Sequence, residues 1–125
     1  MEIPHAYQLS ARFDTLLALA DGWLDGQGIA PDKTKLTEVA ERIIGCYPEK
    51  LPLPAITPTP EGNLLLEWDA PGDPSVDLHL ASMRAAIHAF QPDETEIERE
   101  IPLTTDASWG ELFSFLNERL QPRPA

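Results

Sequence analysis

The sequence predicts an α+β domain of two layers, in which helices cover one face of an antiparallel sheet. Two stretches near the N-terminus space their apolar residues as helices do, the middle of the chain alternates apolar and polar residues as strands do, and the last stretch is helical again. A chain of 125 residues suffices for one such domain with its own core. We therefore expect a single domain over residues 1–125, with residues 1–7 and 121–125 loosely held.

The first helix is predicted over about residues 8–24, because apolar residues recur there at intervals of three and four. The segment "DGWLDGQGIAP" follows it. Gly26 and Gly28 can adopt the left-handed backbone that a helix exit needs, and Pro31 prevents the helix from continuing. We expect a short loop here, so that this helix packs against the next one as a hairpin.

The second helix is predicted at about residues 33–47, with Asp32 or Thr34 as its N-cap. The following residues 48–60 contain five prolines, which exclude a helix and a central strand. An extended segment at the edge of a sheet or over the helices is still compatible with them. If this segment pairs with the four strands described next, the sheet has five strands, and otherwise it has four.

Four further strands are predicted from period-two alternation in "GNLLLEWD", "SVDLHLA", "RAAIHAF" and "TEIEREI". The links between them are short, so neighbouring strands should pair antiparallel as a meander. The C-terminal helix is predicted at about residues 107–120. It begins either at Asp106 or with the capping box of Ser108 and Glu111.

The composition excludes several functions. The formal net charge is −12, and direct binding of nucleic acid requires a basic patch, so we expect no nucleic-acid ligand. No apolar run approaches the roughly 20 residues that span a bilayer, and the first residues lack the pattern of a signal peptide. We expect a cytoplasmic protein without a membrane segment. The single cysteine, Cys46, agrees with a reducing compartment, and we expect it to pack as a partly buried small hydrophobe.

Two segments, "GWLDGQGIAP" and "PTPEGNLLLEW", resemble a group of small bacterial proteins of uncharacterised function. Those proteins have a Trp-Asp-Gly-x-Gly-x-x-x-Pro loop after the first helix and a hairpin that begins Pro-Thr-Pro-x-Gly and ends Glu-Trp. The resemblance covers about residues 10–120, although this chain inserts Leu24 between Trp23 and Asp25. It implies the same order of elements and a bacterial origin, and it implies no particular activity.

A row of glutamates in "DETEIERE" is the strongest electrostatic feature. Its members are Glu94, Glu96, Glu98 and Glu100. On a strand they would share one face at intervals of about 7 Å. One interpretation is a charged edge that prevents aggregation. The other is a docking face for a basic protein such as a toxin, a nuclease or a nucleic-acid-binding subunit, with mimicry of nucleic acid as its most specific form. Tryptophans pack in the core more often than they anchor a partner, and Trp68, between two acidic residues, is the one best placed to be the exception and to bind a partner from the surface.

A metal site is the alternative. A hairpin centred on Ser82 and Met83 would place Asp77 opposite His88 and bring His79 close, and two imidazoles with a carboxylate can bind zinc or iron. The chain has no His-x-x-x-His, His-Glu-x-x-His or Cys-x-x-Cys spacing. Phosphate-binding, dinucleotide-binding and nucleophile-elbow motifs are also absent from the sequence.

The sequence therefore favours an acidic protein-binding module without catalysis or a cofactor, such as an antitoxin, an immunity protein, an inhibitor or an accessory subunit. A small metal-dependent enzyme that uses Asp77, His79 and His88 is the second hypothesis. A structural homodimer, in which the sheet pairs or packs with a second copy, is the third.

Overall fold

A computed structural model describes residues 4–120. The helices are α1 (His5–Leu17), α2 (Lys33–Cys46) and α3 (Asp106–Leu120). The strands are β1 (Ala55–Pro58), β2 (Leu64–Glu67), β3 (Ser75–His79), β4 (Arg84–Phe90) and β5 (Glu96–Pro102). All five strands pair antiparallel in chain order, so the predicted α+β class and the meander are confirmed.

The first helix begins and ends earlier than its apolar spacing predicts. It begins at His5, inside the segment expected to be loose, whereas residues 1–3 and 121–125 of the predicted loose ends lie outside the described residues. It ends at Leu17, after which the Leu19 amide donates to the Leu16 carbonyl at 3.2 Å in a tighter turn. The glycine-rich loop that follows forms its own hydrogen bonds. The Gly22 amide donates to the Gly28 carbonyl at 2.9 Å, and the amide of Ala30 donates to Asp21 Oδ1 at 2.9 Å. The connection to α2 is therefore residues 18–32, longer than predicted.

The second helix agrees closely with the prediction. Asp32 caps it, since its Oδ1 accepts a hydrogen bond of 2.9 Å from the Lys35 amide. It ends at Cys46 because Tyr47 precedes a proline and takes an extended conformation with ψ 124°. The prediction that Cys46 is partly buried is wrong. Its side chain is exposed, because the buried stripe of the helix continues through Tyr47 instead.

One face of the sheet and the inner sides of the helices form the core. The buried side chains of the sheet come from alternate positions of its strands: Leu64, Leu66, Val76, Leu78, Ala85, Ile87 and Ile101. Those of α3 are Trp109, Leu112, Phe115, Leu116 and Leu120. β1 is an edge strand, which is the place that its proline allows. All three helices thus bury their apolar sides in one core with the same face of the sheet, and the other face lies outside this core.

Candidate functional site

The face of the sheet turned away from the helices is open. Its side chains alternate along each strand with the buried ones, because successive residues of a strand point to opposite faces. Most of them are polar or small, and Leu65 and Phe90 are large apolar exceptions. A shallow depression of about 410 Å³ crosses this face between β2 and β5. The residues that line it include Ser75, Asp77, Ala86, His88, Glu98 and Glu100. The lining thus contains three carboxylates and one imidazole, together with Leu65, Ile87 and Arg99.

Three of the predicted glutamates stand on the open face. Glu96, Glu98 and Glu100 alternate along β5, whereas Ile97 and Ile101 of the same strand contact the core. The three carboxylates are exposed. β5 is also an edge of the sheet, so the row lies at the margin of the open face and is accessible from two sides.

Glu94 does not belong to this row, contrary to the prediction. It lies in the turn between β4 and β5, with φ +70°, and its amide donates to the Gln91 carbonyl at 2.9 Å. Asp93 holds this turn, since its Oδ1 accepts hydrogen bonds from the amide of Thr95 at 3.0 Å and from its hydroxyl. These two hydrogen bonds lower the pKa of Asp93. The strand alternation begins only after the turn, and this excludes Glu94.

Trp68 is not exposed, and the prediction that it anchors a partner from the surface is wrong. Its side chain is 3% exposed, and Nε1 donates to the hydroxyl of Tyr47 at 2.9 Å. Trp68 has the same parity as Leu64 and Leu66, so it points to the core and its acidic neighbours point away. That parity was visible in the sequence. Burial raises the pKa of Tyr47, and the hydrogen bond from Trp68 lowers it by less.

The predicted convergence of Asp77, His79 and His88 does not occur as expected. Asp77 lies opposite Ala86 and His88 lies opposite Ser75, so the pairing differs by two residues from the predicted one. The reason is the turn, in which the Met83 amide donates to the Leu80 carbonyl at 3.3 Å and the hairpin is centred one residue earlier than assumed. A shift of two residues preserves the face but changes the neighbours.

The structure instead brings His88 together with two of the glutamates. Glu98 lies directly opposite His88, and Glu96 lies opposite Phe90, the next residue but one on β4. The possible ligand atoms of the three side chains all lie within 4.8 Å of one another, and His88 Nε2 is 3.8 Å from Glu96 Oε1. Sequence reasoning missed this cluster because it placed the histidine and the glutamates in separate hypotheses. The alternation of β4 and β5 and the length of the turn between these strands were the signals that could have placed the histidine beside the glutamates.

Basic side chains neutralise this surface only at one end. Arg84 Nη1 lies 3.9 Å from Glu100 Oε2. Arg99 stands between two glutamates in the sequence but projects to the other face, where it pairs with Glu111 of α3. Within residues 4–120, Glu96 and Glu98 form no ion pair with a lysine or an arginine. The middle and the far end of the row therefore keep their negative charge.

These features define a helix-backed antiparallel sheet with an acidic open face. Comparisons of the chain with family models, with curated proteins and with solved structures gave no match. In the part of the chain that the structure describes, no helix combines the length and the apolar character of a transmembrane helix. The functional argument therefore rests on the chemistry of the open face.

Proposed function

We propose that this chain is a non-catalytic binding module whose open sheet face docks a basic protein. The observation that carries the proposal is the exposed row of Glu96, Glu98 and Glu100 on a face that the protein's own helices leave uncovered. Opposite charges across an interface speed association and select the partner. An antitoxin, an immunity protein, an inhibitor or an accessory subunit with a basic partner would use such a surface in the same physical way.

The depression beside the row supports the same proposal. It offers a concave surface of about 410 Å³ in which a lysine or an arginine of the partner can contact Glu98 and Glu100. Arginine is suited to this role because its planar guanidinium binds carboxylates at two points. Asp77 lines the same depression, and its Oδ1 is a buried atom without a hydrogen-bond partner among the described residues. The Asp77 carboxylate adds negative charge to the depression, and this charge favours a basic side chain of the partner there.

A homodimer through this face is disfavoured by charge. Two copies that meet face to face or edge to edge would bring their glutamate rows together, and like charges in contact cost free energy. The sheet edge at β5 is protected in this way.

The test is a charge reversal. Immobilised wild-type protein is used to capture basic proteins from the source cells, and a captured partner is then purified and titrated by surface plasmon resonance at two salt concentrations. The triple variant E96K/E98K/E100K should weaken the affinity by roughly tenfold or more. Three exposed ion pairs contribute about 0.2–1 kcal/mol each, and the reversal replaces their attraction by repulsion.

A matched control separates this face from the net charge. The triple variant D14K/E38K/E118K changes the formal charge by the same amount, at exposed positions on the three helices. It should leave the affinity close to that of the wild type. Equal weakening by both variants, or unchanged binding after reversal of the β5 row, would contradict the proposal.

A further inference from the structure

The geometry points to a binding site for a divalent transition-metal ion of the zinc class, formed by His88, Glu96 and Glu98 on the open face. This inference concerns a different ligand from the protein partner and does not depend on it. It also differs from the metal site predicted from the sequence, which contained Asp77 and His79.

The two strands place the three side chains together. His88 and Glu98 are direct cross-strand neighbours, and Glu96 is the diagonal neighbour on the same face. Their possible ligand atoms lie within 4.8 Å of one another. A tetrahedral zinc ion binds nitrogen and oxygen ligands at about 2.0–2.2 Å, so two of its ligands are about 3.3–3.6 Å apart. The ligand atoms must therefore approach one another on binding, and the glutamate side chains are exposed and can rotate towards the imidazole.

The imidazole is held by its neighbour. The ring of His88 meets the ring of Phe90 edge to face, with the centroids 5.1 Å apart. This contact restricts the rotation of the histidine, and the two glutamates are fixed at their backbone by the β4–β5 ladder. A ligand set on paired strands loses less conformational freedom on binding a metal than one on a loop.

The surrounding charges favour a cation at this point. Glu100, the next glutamate of the row, already lies beside Arg84, whereas Glu96 and Glu98 have no lysine or arginine partner in residues 4–120. Two adjacent carboxylates repel each other, and a divalent ion between them removes that repulsion. Asp77 adds negative charge from the same depression.

The donor set selects the class of metal. Calcium and magnesium prefer oxygen ligands alone, whereas one imidazole with two carboxylates suits zinc, iron and manganese. The other histidine on this face is a weaker candidate. His79 Nε2 lies 3.9 Å from Asp77 Oδ2, and these two residues offer one nitrogen and one carboxylate. His79 therefore provides a matched control.

The experiment is a calorimetric titration of metal-free protein with Zn²⁺ alone and, separately, with Mg²⁺. We expect one Zn²⁺ per chain and much weaker binding of Mg²⁺. H88Q and E98Q should each weaken Zn²⁺ binding by roughly tenfold or more, because loss of a direct ligand costs at least as much as loss of a group that orients one. Thermal melting of each variant checks that it is folded, and all these side chains are at least partly exposed.

Two controls decide the assignment. H79Q removes the other imidazole of this face, and E100Q removes the glutamate that lies beside Arg84. Both variants should bind Zn²⁺ as the wild type does. No stoichiometric binding of Zn²⁺, unchanged affinity in H88Q, or an equal loss in H79Q would each overturn the inference.

Discussion

The buried hydrogen bond between Trp68 and Tyr47 makes a sharp prediction about stability. The Tyr47 hydroxyl accepts a hydrogen bond from Trp68 Nε1 at 2.9 Å in the core, and it donates one to the carbonyl of Pro52. Tyr47→Phe leaves the indole N–H buried without a partner, which costs about 1–3 kcal/mol. Pro52 is exposed, so water can replace the hydroxyl at its carbonyl. We expect the free energy of unfolding to fall by about 1–3 kcal/mol and the melting temperature by roughly 3–15 °C.

Urea denaturation followed by circular dichroism measures this change, and the other tyrosine supplies the control. Tyr7 is 72% exposed, so Tyr7→Phe should leave the stability nearly unchanged. In a Trp68→Phe background the indole donor is absent, and Tyr47→Phe should then cost less than it does in the wild type. Equal stability of Tyr47→Phe and Tyr7→Phe, or costs of the two core substitutions that simply add, would refute the reasoning.

The raised pKa of the same tyrosine should make the free energy of unfolding depend on pH. Burial raises the pKa of Tyr47 above its ordinary value of 10.0, so the folded protein holds this proton more tightly than the unfolded chain does. The resulting stability is fully present below about pH 10 and is lost as the pH rises through the folded pKa. Between pH 9 and pH 11, wild-type protein should therefore lose stability more steeply than Tyr47→Phe does. Parallel curves for the two proteins would contradict this account.

Two further predictions concern a turn and a helix cap. Gly72→Ala should lower the melting temperature more than Gly26→Ala does, although both glycines have positive φ. A Cβ at Gly72 would lie 2.4 Å from the Phe90 carbonyl oxygen, whereas a Cβ at Gly26 meets nothing within 4 Å. Equal melting temperatures of the two variants would count against this close approach. Asp32→Ala should lower the free energy of unfolding by about 1 kcal/mol and Asp32→Asn by much less, since asparagine also caps a helix. Denaturant titration measures both losses, and equal losses would show that the cap does not act through its side-chain oxygen.

Much of the fold could be predicted because the relevant signals are local. The period of the apolar residues identified all three helices and strands β2 to β5, and the parity of β5 placed Glu96, Glu98 and Glu100 on one face. β1 has no such period, and the prolines around it left its place at a sheet edge or over the helices open. The end of α1 could not be predicted in the same way. The apolar spacing continues past Leu17, but the residues after it belong to a loop that is closed by the hydrogen bond from the Gly22 amide to the Gly28 carbonyl.

The candidate site was harder to predict because it depends on pairing between strands. Alternation decides which face a residue occupies, whereas the turn decides which residue it meets. The hairpin after Leu80 is centred one residue earlier than assumed, which separates Asp77 from His88. Trp68 was misplaced for a different reason. Its acidic neighbours suggested exposure, although its parity with Leu66 indicated burial.

The chain-order pairing of the strands has a consequence for how the protein folds. Every strand pairs only with the strand before it and the strand after it, so the sheet can grow one hairpin at a time. Closing a short loop costs little entropy, and proteins rich in such local pairings fold quickly for a β-sheet. β4 and β5 share the longest register of the sheet, with seven residue pairs, so a local pairing that does not require β1, β2 or β3 brings His88 and the glutamates together.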